Sequence, residues 1–167
     1  VRRFCNTANL ESGADRLDDS DDFDDWLRRQ GLEPLGAGRD DRTTLAVVRE
    51  LLRAAAVAHR DGTDDDTIVA ELARRCASVT FRFEIRGSAV PMRADANDDT
   101  VELLLARLLL GVADAVTDGT WHRLKACSNC RWVVYDTSKN QSARWCSMSA
   151  CGGRAKVRRH RARTRDA

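Results

Sequence analysis

Residues 145–161 read WCSMSACGGRAKVRRHR, so that two cysteines lead directly into a dense run of arginines. Upstream lies a second pair with the spacing C-x2-C, and fifteen residues separate the two pairs. Cysteine pairs spaced about 15–20 residues apart are a signature of zinc binding, and four thiolates suit a closed tetrahedral site. We therefore predict one structural Zn²⁺; two disulfides or an iron–sulfur cluster are the alternatives. The predicted ligands are Cys127, Cys130, Cys146 and Cys151.

The residues around the cysteines predict a local architecture. A tight turn at 127–130 would aim two sulfurs at one point and leave backbone N–H groups free to bond the thiolates. Strand-like residues 132–135 lead into a turn, and the chain returns at 143–145 before a helix that begins near Ser149. Because about 45 residues cannot bury enough surface to fold alone, a structural metal is favoured. We predict a knuckle and hairpin that the metal ties to this helix.

The charge of the chain is divided unevenly. The formal net charge is +2, but residues 1–120 hold 16 Lys and Arg against 24 Asp and Glu, whereas 121–167 hold 12 against 2. A basic segment of this kind is typical of proteins that bind polyanions; a solvated terminus without a dedicated partner is the alternative. The candidate nucleic-acid-binding residues are Arg144, Arg154, Lys156, Arg158, Arg159, Arg161 and Arg163.

Crowded arginines impose a constraint on the predicted C-terminal helix. One face would carry Arg154, Arg158, Arg161 and Arg165. Like charges three and four residues apart destabilise a helix, so this one needs an anchor at its start and anions along its flank. The metal site supplies the anchor. Arg144 and Arg154, which lie nearest the cysteines, could instead offset the negative charge of the thiolates.

Three aromatic residues lie among the cysteines, namely Trp132, Tyr135 and Trp145. Aromatic rings beside basic residues can stack on nucleobases. In so small a module, however, we expect these rings mainly to cover the metal site.

Residues 1–120 are predicted to form a mainly helical domain. Apolar positions at helical spacing, together with capping residues and terminal glycines, predict four helices. The helices lie around 23–27 up to Gly31, over about 43–59 with Thr43 and Thr44 as caps and Gly62 at the end, around 68–72, and over about 99–118 with Asp99 as cap and Gly119 at the end. Because the last helix is apolar nearly all round, we expect it in the centre of the domain.

A strand pattern separates the third helix from the fourth. Apolar and polar residues alternate strictly over 79–86, which predicts a strand with one buried face. Gly87 and Ser88 can turn it into a second strand over 89–93, with Pro91 placing that strand at an edge. The helices and this hairpin predict an α/β protein of the α+β type.

An acidic run crowds residues 15–25, where seven aspartates occur. Carboxylates that complement the start of a helix explain part of the run. A calcium loop is disfavoured because the central glycine and final glutamate of that pattern are missing. A contact between this run and the basic tail is a further hypothesis.

No sequence pattern indicates catalysis or membrane insertion. The longest apolar stretch, 101–116, is interrupted by charges and too short to span a bilayer. No secretory leader precedes Phe4, so we expect a cytoplasmic, nucleoid-associated protein. Phosphate loops, paired catalytic acids and nucleophile motifs are absent from the sequence, so we predict no enzyme. We expect Cys5, His59 and Cys76 to be structural.

The C-terminal motifs resemble a known family. The stretches at 122–127, 135–138, 144–148 and 151–156 resemble the CGNR-type zinc finger of bacterial proteins, and Phe4-Cys-Asn-Thr7 with the order of helices and hairpin resembles the ABATE-type domain that precedes it. The resemblance implies a treble-clef-like finger with four cysteine ligands. It also implies a stress-associated transcription regulator whose N-terminal domain senses a small-molecule signal or mediates assembly. One departure is Gly153, where the family signature carries Asn.

These observations lead to one functional prediction with two alternatives. We predict a domain over 1–120 and a zinc finger over 121–167 that presents a basic helix to DNA. RNA binding, which the resemblance also implies, is the first alternative. The second is a zinc-stabilised module that docks an acidic protein partner. A homodimer is a further expectation, because small DNA-binding proteins often use paired half-sites, and no membrane partner is expected.

Overall fold

The protein combines helices with short antiparallel strand pairs, which confirms the α+β fold class. This computed structural model describes residues 1–83, 92–94 and 101–165. The helices are α1 (Arg2–Cys5), α2 (Ser20–Arg29), α3 (Arg39–Asp61), α4 (Asp66–Arg75), α5 (Val101–Thr117) and α6 (Gly153–Arg165). The strands are β1 (Ala8–Asn9), β2 (Ala14–Asp15), β3 (Phe81–Phe83), β4 (Met92–Ala94), β5 (Leu124–Ala126) and β6 (Val133–Tyr135). A 3₁₀ turn (Trp121–Arg123) precedes β5, and a π-helical turn (Met148–Gly152) precedes α6. Within the described residues, no helix is both long and apolar enough to cross a membrane.

Helix α3 is the element on which α1, α4 and β5 pack. It begins at Arg39, so the predicted start at Thr43 is wrong. The reason is a cap earlier in the chain: Gly38 is the N-cap, and its backbone N–H donates to Asp41 Oδ2 at 3.1 Å. The predicted end is confirmed, because Gly62 adopts φ +69°, a left-handed conformation that glycine takes without strain.

Helix α5 does not occupy the centre of the domain, contrary to the prediction. It buries one side, which includes Leu105 and Leu108, while Val116 near its end is 56% exposed. The longer α3 takes the central place because other elements pack along its length. The predicted end of α5 is confirmed by Gly119 at φ +64°, whereas the predicted cap at Asp99 lies outside the described residues.

Helices α2 and α4 lie where the sequence predicts them, and strands β3 and β4 overlap the two predicted strands. The predicted strand residues 84–86 and 89–91, with Pro91, lie outside the described residues. In α2, Phe23 and Leu27 are buried and Gly31 follows the helix at φ +72°. Strands β3 and β4 pair antiparallel, with Phe81 opposite Ala94. The predicted turn at 87–88 lies outside the described residues.

The acidic run caps a helix and holds loops. Asp19 is the N-cap of α2 and accepts the backbone N–H groups of Asp21 and Asp22. Asp24 is buried and accepts the backbone N–H groups of Leu35 and Gly36. Among the described residues, no hydrogen bond or ion pair joins these aspartates to the basic tail, whose Arg154 pairs with Glu11 instead; a contact with the acidic run stays a hypothesis.

The first residues are more regular than the sequence suggests. Helix α1 and the β1–β2 pair are too short to produce a hydrophobic period, so sequence analysis missed them. They are fixed by Arg49, a buried residue of α3 whose guanidinium makes two 2.6 Å hydrogen bonds to the Asp15 carboxylate. Two parallel N–H···O bonds fix orientation as well as distance. The start of the chain is therefore held against α3.

The cysteine-rich segment packs directly against α3. His59 Nδ1 lies 2.9 Å from the backbone oxygen of Leu124, and Arg60 donates to the backbone oxygen of Ala126 at 3.3 Å. Asn6 of the α1 region exchanges two 2.8 Å hydrogen bonds with the backbone of Val133. The division into domains at 120/121 stays a prediction.

One buried side chain joins three parts of the molecule. Arg53 of α3 is 2% exposed. Its guanidinium donates to the backbone oxygen of Cys5 at 2.5 Å, to that of Arg131 at 3.0 Å, and to Glu50 Oε2 at 3.0 Å. Replacement of Arg53 would leave buried carbonyl oxygens without a donor.

We predict that Arg53→Ala lowers the free energy of unfolding by about 3 kcal/mol, because buried acceptors lose a charged donor. Chemical denaturation measures this change. Arg75→Ala is the control, because Arg75 forms a largely exposed pair with Glu71, and it should cost about 1 kcal/mol or less. Equal losses in both variants would contradict the structural role of Arg53.

Candidate metal centre and nucleic-acid interface

The four predicted cysteine ligands converge on one point. Their sulfur atoms all lie within 4.8 Å of one another. Cys130 and Cys146 Sγ are 3.7 Å apart, Cys146 and Cys151 3.5 Å, and Cys151 and Cys130 3.6 Å. A tetrahedron with Zn–S bonds of about 2.3 Å has sulfur–sulfur edges of about 3.8 Å. The arrangement therefore fits zinc, and the cysteines are free thiols rather than disulfides.

The first cysteine pair is held by a backbone turn between β5 and β6. The backbone N–H of Cys127 donates to the Trp132 oxygen at 2.9 Å, and that of Arg131 donates to the Cys127 oxygen at 3.0 Å. Arg131 takes φ +58°, which lets the chain reverse here. The predicted tight turn at 127–130 is confirmed. The hairpin joins β5 to β6 around this turn, and the chain returns to it at 143–145 as predicted, since the Ser128 N–H donates to the Arg144 oxygen at 2.9 Å.

The second pair flanks the start of the π-helical turn that leads into α6: Cys146 precedes the turn and Cys151 lies within it. Ser147 caps this turn, because its Oγ accepts the backbone N–H of Ala150 at 3.0 Å. Cys151 is buried at the end of the turn, and α6 continues directly from Gly153. The base of α6 is therefore attached to the sulfur cluster, in agreement with the predicted helix start near Ser149.

A buried carboxylate organises the loop between the two pairs. Asp136 accepts hydrogen bonds from Lys125 Nζ at 3.0 Å, from the Ser138 hydroxyl at 2.6 Å and from the Ala143 backbone N–H at 2.9 Å. Although burial opposes ionisation, these donors hold the pKa of Asp136 far below its usual range. Sequence analysis missed this residue. The sequence feature that could have identified it is an Asp two residues before a Ser, a spacing typical of turns that the Asp side chain stabilises.

The cysteine thiols differ in the direction in which their pKa values are shifted. Burial raises the pKa of Cys127, but backbone N–H groups of Cys130, Asn129 and Cys146 outweigh it and bring that pKa to about 7, below the ordinary 9.0. Burial and sulfur–sulfur contacts raise the pKa of Cys146. A cation among the sulfurs reverses such an increase, because a metal-bound thiol is deprotonated.

Two groups that donate to Cys151 connect the sulfur cluster to the surface. Arg154 Nη2 lies 3.1 Å from Cys151 Sγ, and its guanidinium also pairs with the Glu11 carboxylate. Asn129 Nδ2 lies 3.6 Å from the same sulfur, and Asn129 Oδ1 accepts from Arg158 Nη2 at 2.6 Å. The predicted role of Arg154 as a charge partner of the thiolates is confirmed by this contact.

The candidate nucleic-acid residues do not form one uniform face. Arg154 and Arg158 are engaged at the sulfur cluster, as described above. Lys156, Arg159 and Arg163 instead line a cleft of about 400 Å³ on another side of α6, together with Trp145 and His160. Arg144 and Arg161 are exposed. Arg144 contributes its backbone oxygen, which accepts the Ser128 N–H at 2.9 Å.

The aromatic residues take different positions. Trp132 is 37% exposed and Tyr135 is 42% exposed, so neither is a closed cover over the sulfurs. Trp145 is half-buried and lies with Met148 over Gly152, where an added Cβ would approach Trp145 Cδ1 to 3.2 Å. Trp145 therefore borders both the turn that carries Cys151 and the basic cleft.

Gly153 does not need to be glycine in this structure. Its φ of −60° and ψ of −47° are ordinary for a right-handed helix, and an added Cβ would lie 3.4 Å from the Met148 backbone oxygen. The Asn of the family signature could therefore occupy this position without backbone strain.

We predict that Cys146→Ser abolishes metal binding, because the tetrahedron loses one thiolate. Elemental analysis should show one equivalent of zinc in the unmodified protein and well under one in the variant. The matched control is Cys76→Ser, since Cys76 is buried in the hydrophobic core away from the cluster, and it should retain zinc. Full zinc in Cys146→Ser would contradict the tetrathiolate site.

Comparison with known proteins places the chain in a family. A family model described as "Putative stress-induced transcription regulator" (ABATE) matches residues 2–119, and a model of the CGNR zinc finger matches 123–164. Both descriptions are regulatory or zinc-finger families rather than enzyme families. A search of curated proteins finds no match. The chain therefore belongs to the ABATE family, carries a CGNR zinc finger, and holds one structural Zn²⁺ in its cluster of four cysteines.

Proposed function

We propose that this regulator binds duplex DNA through α6, which the zinc site anchors at its base. The observation that carries the proposal is the basic cleft, defined as Lys156, Arg159, His160 and Arg163 of α6 with Trp145 beside them. Among the described residues, no carboxylate pairs with its lysine or its two arginines. These cations are therefore available to phosphate groups.

Helical spacing explains why the cleft suits a polyanion. Residues 159, 160 and 163 lie three, four and seven positions after residue 156, so all four residues lie on one side of the helix. Their mutual repulsion is relieved when phosphates approach, and phosphate contacts release counterions from DNA. Phosphate contacts position a protein on the duplex without reading its sequence.

The opposite charges of the two segments support an orientation in which the zinc finger faces the DNA. The sequence before residue 121 is acidic, while the sequence from 121 onward is basic. An acidic surface repels DNA and a basic one attracts it, so long-range electrostatics would orient the protein with α6 toward the duplex. A site of action on chromosomal DNA in the cytoplasm and a homodimer on paired half-sites belong to this proposal. We assign no catalytic role.

The seven candidate residues divide into two roles in this proposal. Arg154 and Arg158 fix α6 against the zinc cluster, so they contribute to binding indirectly. The remaining five contact phosphates directly, and none has a carboxylate partner among the described residues: Arg144, Lys156, Arg159, Arg161 and Arg163.

A second candidate is single-stranded RNA, and the position of Trp145 favours it. A half-buried indole beside Lys156 and Arg159 resembles the combination of stacking surface and cations that binds single strands. Loss of single-stranded binding in Trp145→Ala, without loss of duplex binding, would support this candidate. An acidic protein partner is the other alternative. The ion pair between Arg154 and Glu11 is an example of a carboxylate bound by α6.

Five phosphate contacts predict a salt dependence for the zinc-loaded protein. The slope of log K against log salt concentration should lie near −4 to −5, since each contact contributes about −0.9 on duplex DNA. Fluorescence anisotropy with a random-sequence duplex at several salt concentrations measures this slope. Affinity that barely responds to salt, or absence of binding at low salt, would contradict the proposal.

Neutralising the cations of the basic cleft tests whether these residues contact the DNA phosphates. The triple variant Lys156→Gln, Arg159→Gln, Arg163→Gln should reduce the magnitude of the slope by about 3 and weaken binding. The control neutralises three exposed arginines elsewhere, Arg28, Arg29 and Arg74, and should leave the slope nearly unchanged. Equal effects in both triple variants would show that net charge, not the cleft, drives binding.

A further inference from the structure

A second cleft lies between α1, α2 and the zinc finger, away from the basic cleft. Its volume is about 460 Å³, and its walls come from the start of the chain, from Arg16, from α2 and from residues 132–134. We call it the junction cleft. Small-molecule sites commonly lie where two parts of a protein meet and measure about 300–1,000 Å³, so the size and position suit a small ligand.

The junction cleft is lined by positive charge without a compensating carboxylate. Three of its lining residues are Arg2, Arg3 and Arg16, and no aspartate or glutamate lines it. The Arg3 guanidinium donates to Gln30 Oε1 at 2.8 Å, which fixes it on the wall formed by α2. Neither Arg2 nor Arg16 has a side-chain hydrogen bond or ion pair within the described chain, so both guanidinium groups are free to bind an anion.

Two indole rings lie among these arginines. Trp26 of α2 is supported from behind by Phe23, since their rings are stacked with centroids 5.8 Å apart. Trp132, which precedes β6, is 37% exposed. Trp26 is partly buried against the core. Aromatic residues that border a cavity offer flat surfaces on which a planar ring can stack.

We propose that the junction cleft binds a small molecule of the nucleoside phosphate class. The arginines would bind the phosphate by charge-assisted, bidentate hydrogen bonds, and Trp26 or Trp132 would stack on the base. Gln30 also lines the cleft, and its amide N–H groups would donate to the edge of the base.

A ligand in this cleft would contact both the N-terminal region and the zinc finger. Asn6, which follows α1, exchanges two hydrogen bonds with Val133 of β6, so these two parts of the chain are directly joined. The backbone oxygen of Trp132 accepts the N–H of Cys127, the first cysteine of the zinc cluster. A ligand stacked on Trp132 would therefore touch the residue whose backbone oxygen holds Cys127. This contact connects the N-terminal region to the zinc finger.

The test is titration of the zinc-loaded protein with adenosine and guanosine 5′-mono-, di- and triphosphates. Tryptophan fluorescence and isothermal titration calorimetry report binding, and a rise in melting temperature accompanies it because ligand binds only the folded state. The unphosphorylated nucleosides and inorganic phosphate are parallel probes. We expect at least one nucleotide to bind about tenfold or more tightly than either, because both halves of the cleft contribute.

Two variants assign binding to a site and separate this proposal from DNA binding. Arg2→Gln with Arg16→Gln should weaken nucleotide binding about tenfold or more, with zinc content and duplex DNA affinity retained. Lys156→Gln with Arg159→Gln should weaken DNA binding and leave nucleotide binding unchanged.

Three outcomes would overturn the proposal. The first is that none of the nucleotides binds. The second is that inorganic phosphate binds as tightly as the nucleotides, so that the rings contribute nothing. The third is that the basic-cleft variant, rather than the Arg2 and Arg16 variant, loses nucleotide binding. Each of these outcomes leaves the DNA-binding proposal to its own experiments.

Discussion

The convergence of four sulfur atoms on one metal ion is the constraint on which the finger depends. Two of the sulfurs belong to the turn between β5, which packs on α3, and β6, which packs on α1. The other two belong to the segment that leads into α6. The metal therefore connects a buried helix to an exposed one. Without that connection, α6 has few apolar contacts: only Ala155 of its described side chains is buried. A helix with many like charges and little burial has no other strong reason to hold one orientation.

Some arginines near this cluster stabilise the structure, whereas others are available to bind a ligand. Arg53 donates to the backbone oxygen of Arg131, which follows the first two cysteines. Arg154 donates to Cys151 and Arg158 donates to Asn129, so both attach α6 to the cysteine cluster. These contacts satisfy guanidinium groups with oxygen and sulfur acceptors. The cations of the basic cleft have no such acceptors among the described residues, and this difference makes them the candidates for phosphate. Two arginines of the junction cleft, Arg2 and Arg16, share that property among the described residues.

Sequence reasoning predicted what local chemistry dictates. The cysteine spacing identified the metal site, because two short pairs can bring four thiolates to one ion, and Gly62 and Gly119 marked helix ends through their positive φ. It failed where long-range contacts decide. The short elements near the chain start depend on Arg49, and α5 is displaced from the centre by α3. The start of α3 was missed for a local reason, because Asp41 caps the helix at Gly38, only three residues away. The split between engaged and free arginines depends on Asn129 and Glu11, distant in sequence, so periodicity alone could not show it.

Hydrogen–deuterium exchange with and without zinc measures whether the metal holds α6 in place. Backbone N–H groups of 155–163 should exchange slowly in the zinc-loaded protein and rapidly after chelation, while those in the buried part of α3 should stay protected because its core does not involve the metal. Unchanged protection of 155–163, in protein shown by elemental analysis to lack zinc, would contradict the account.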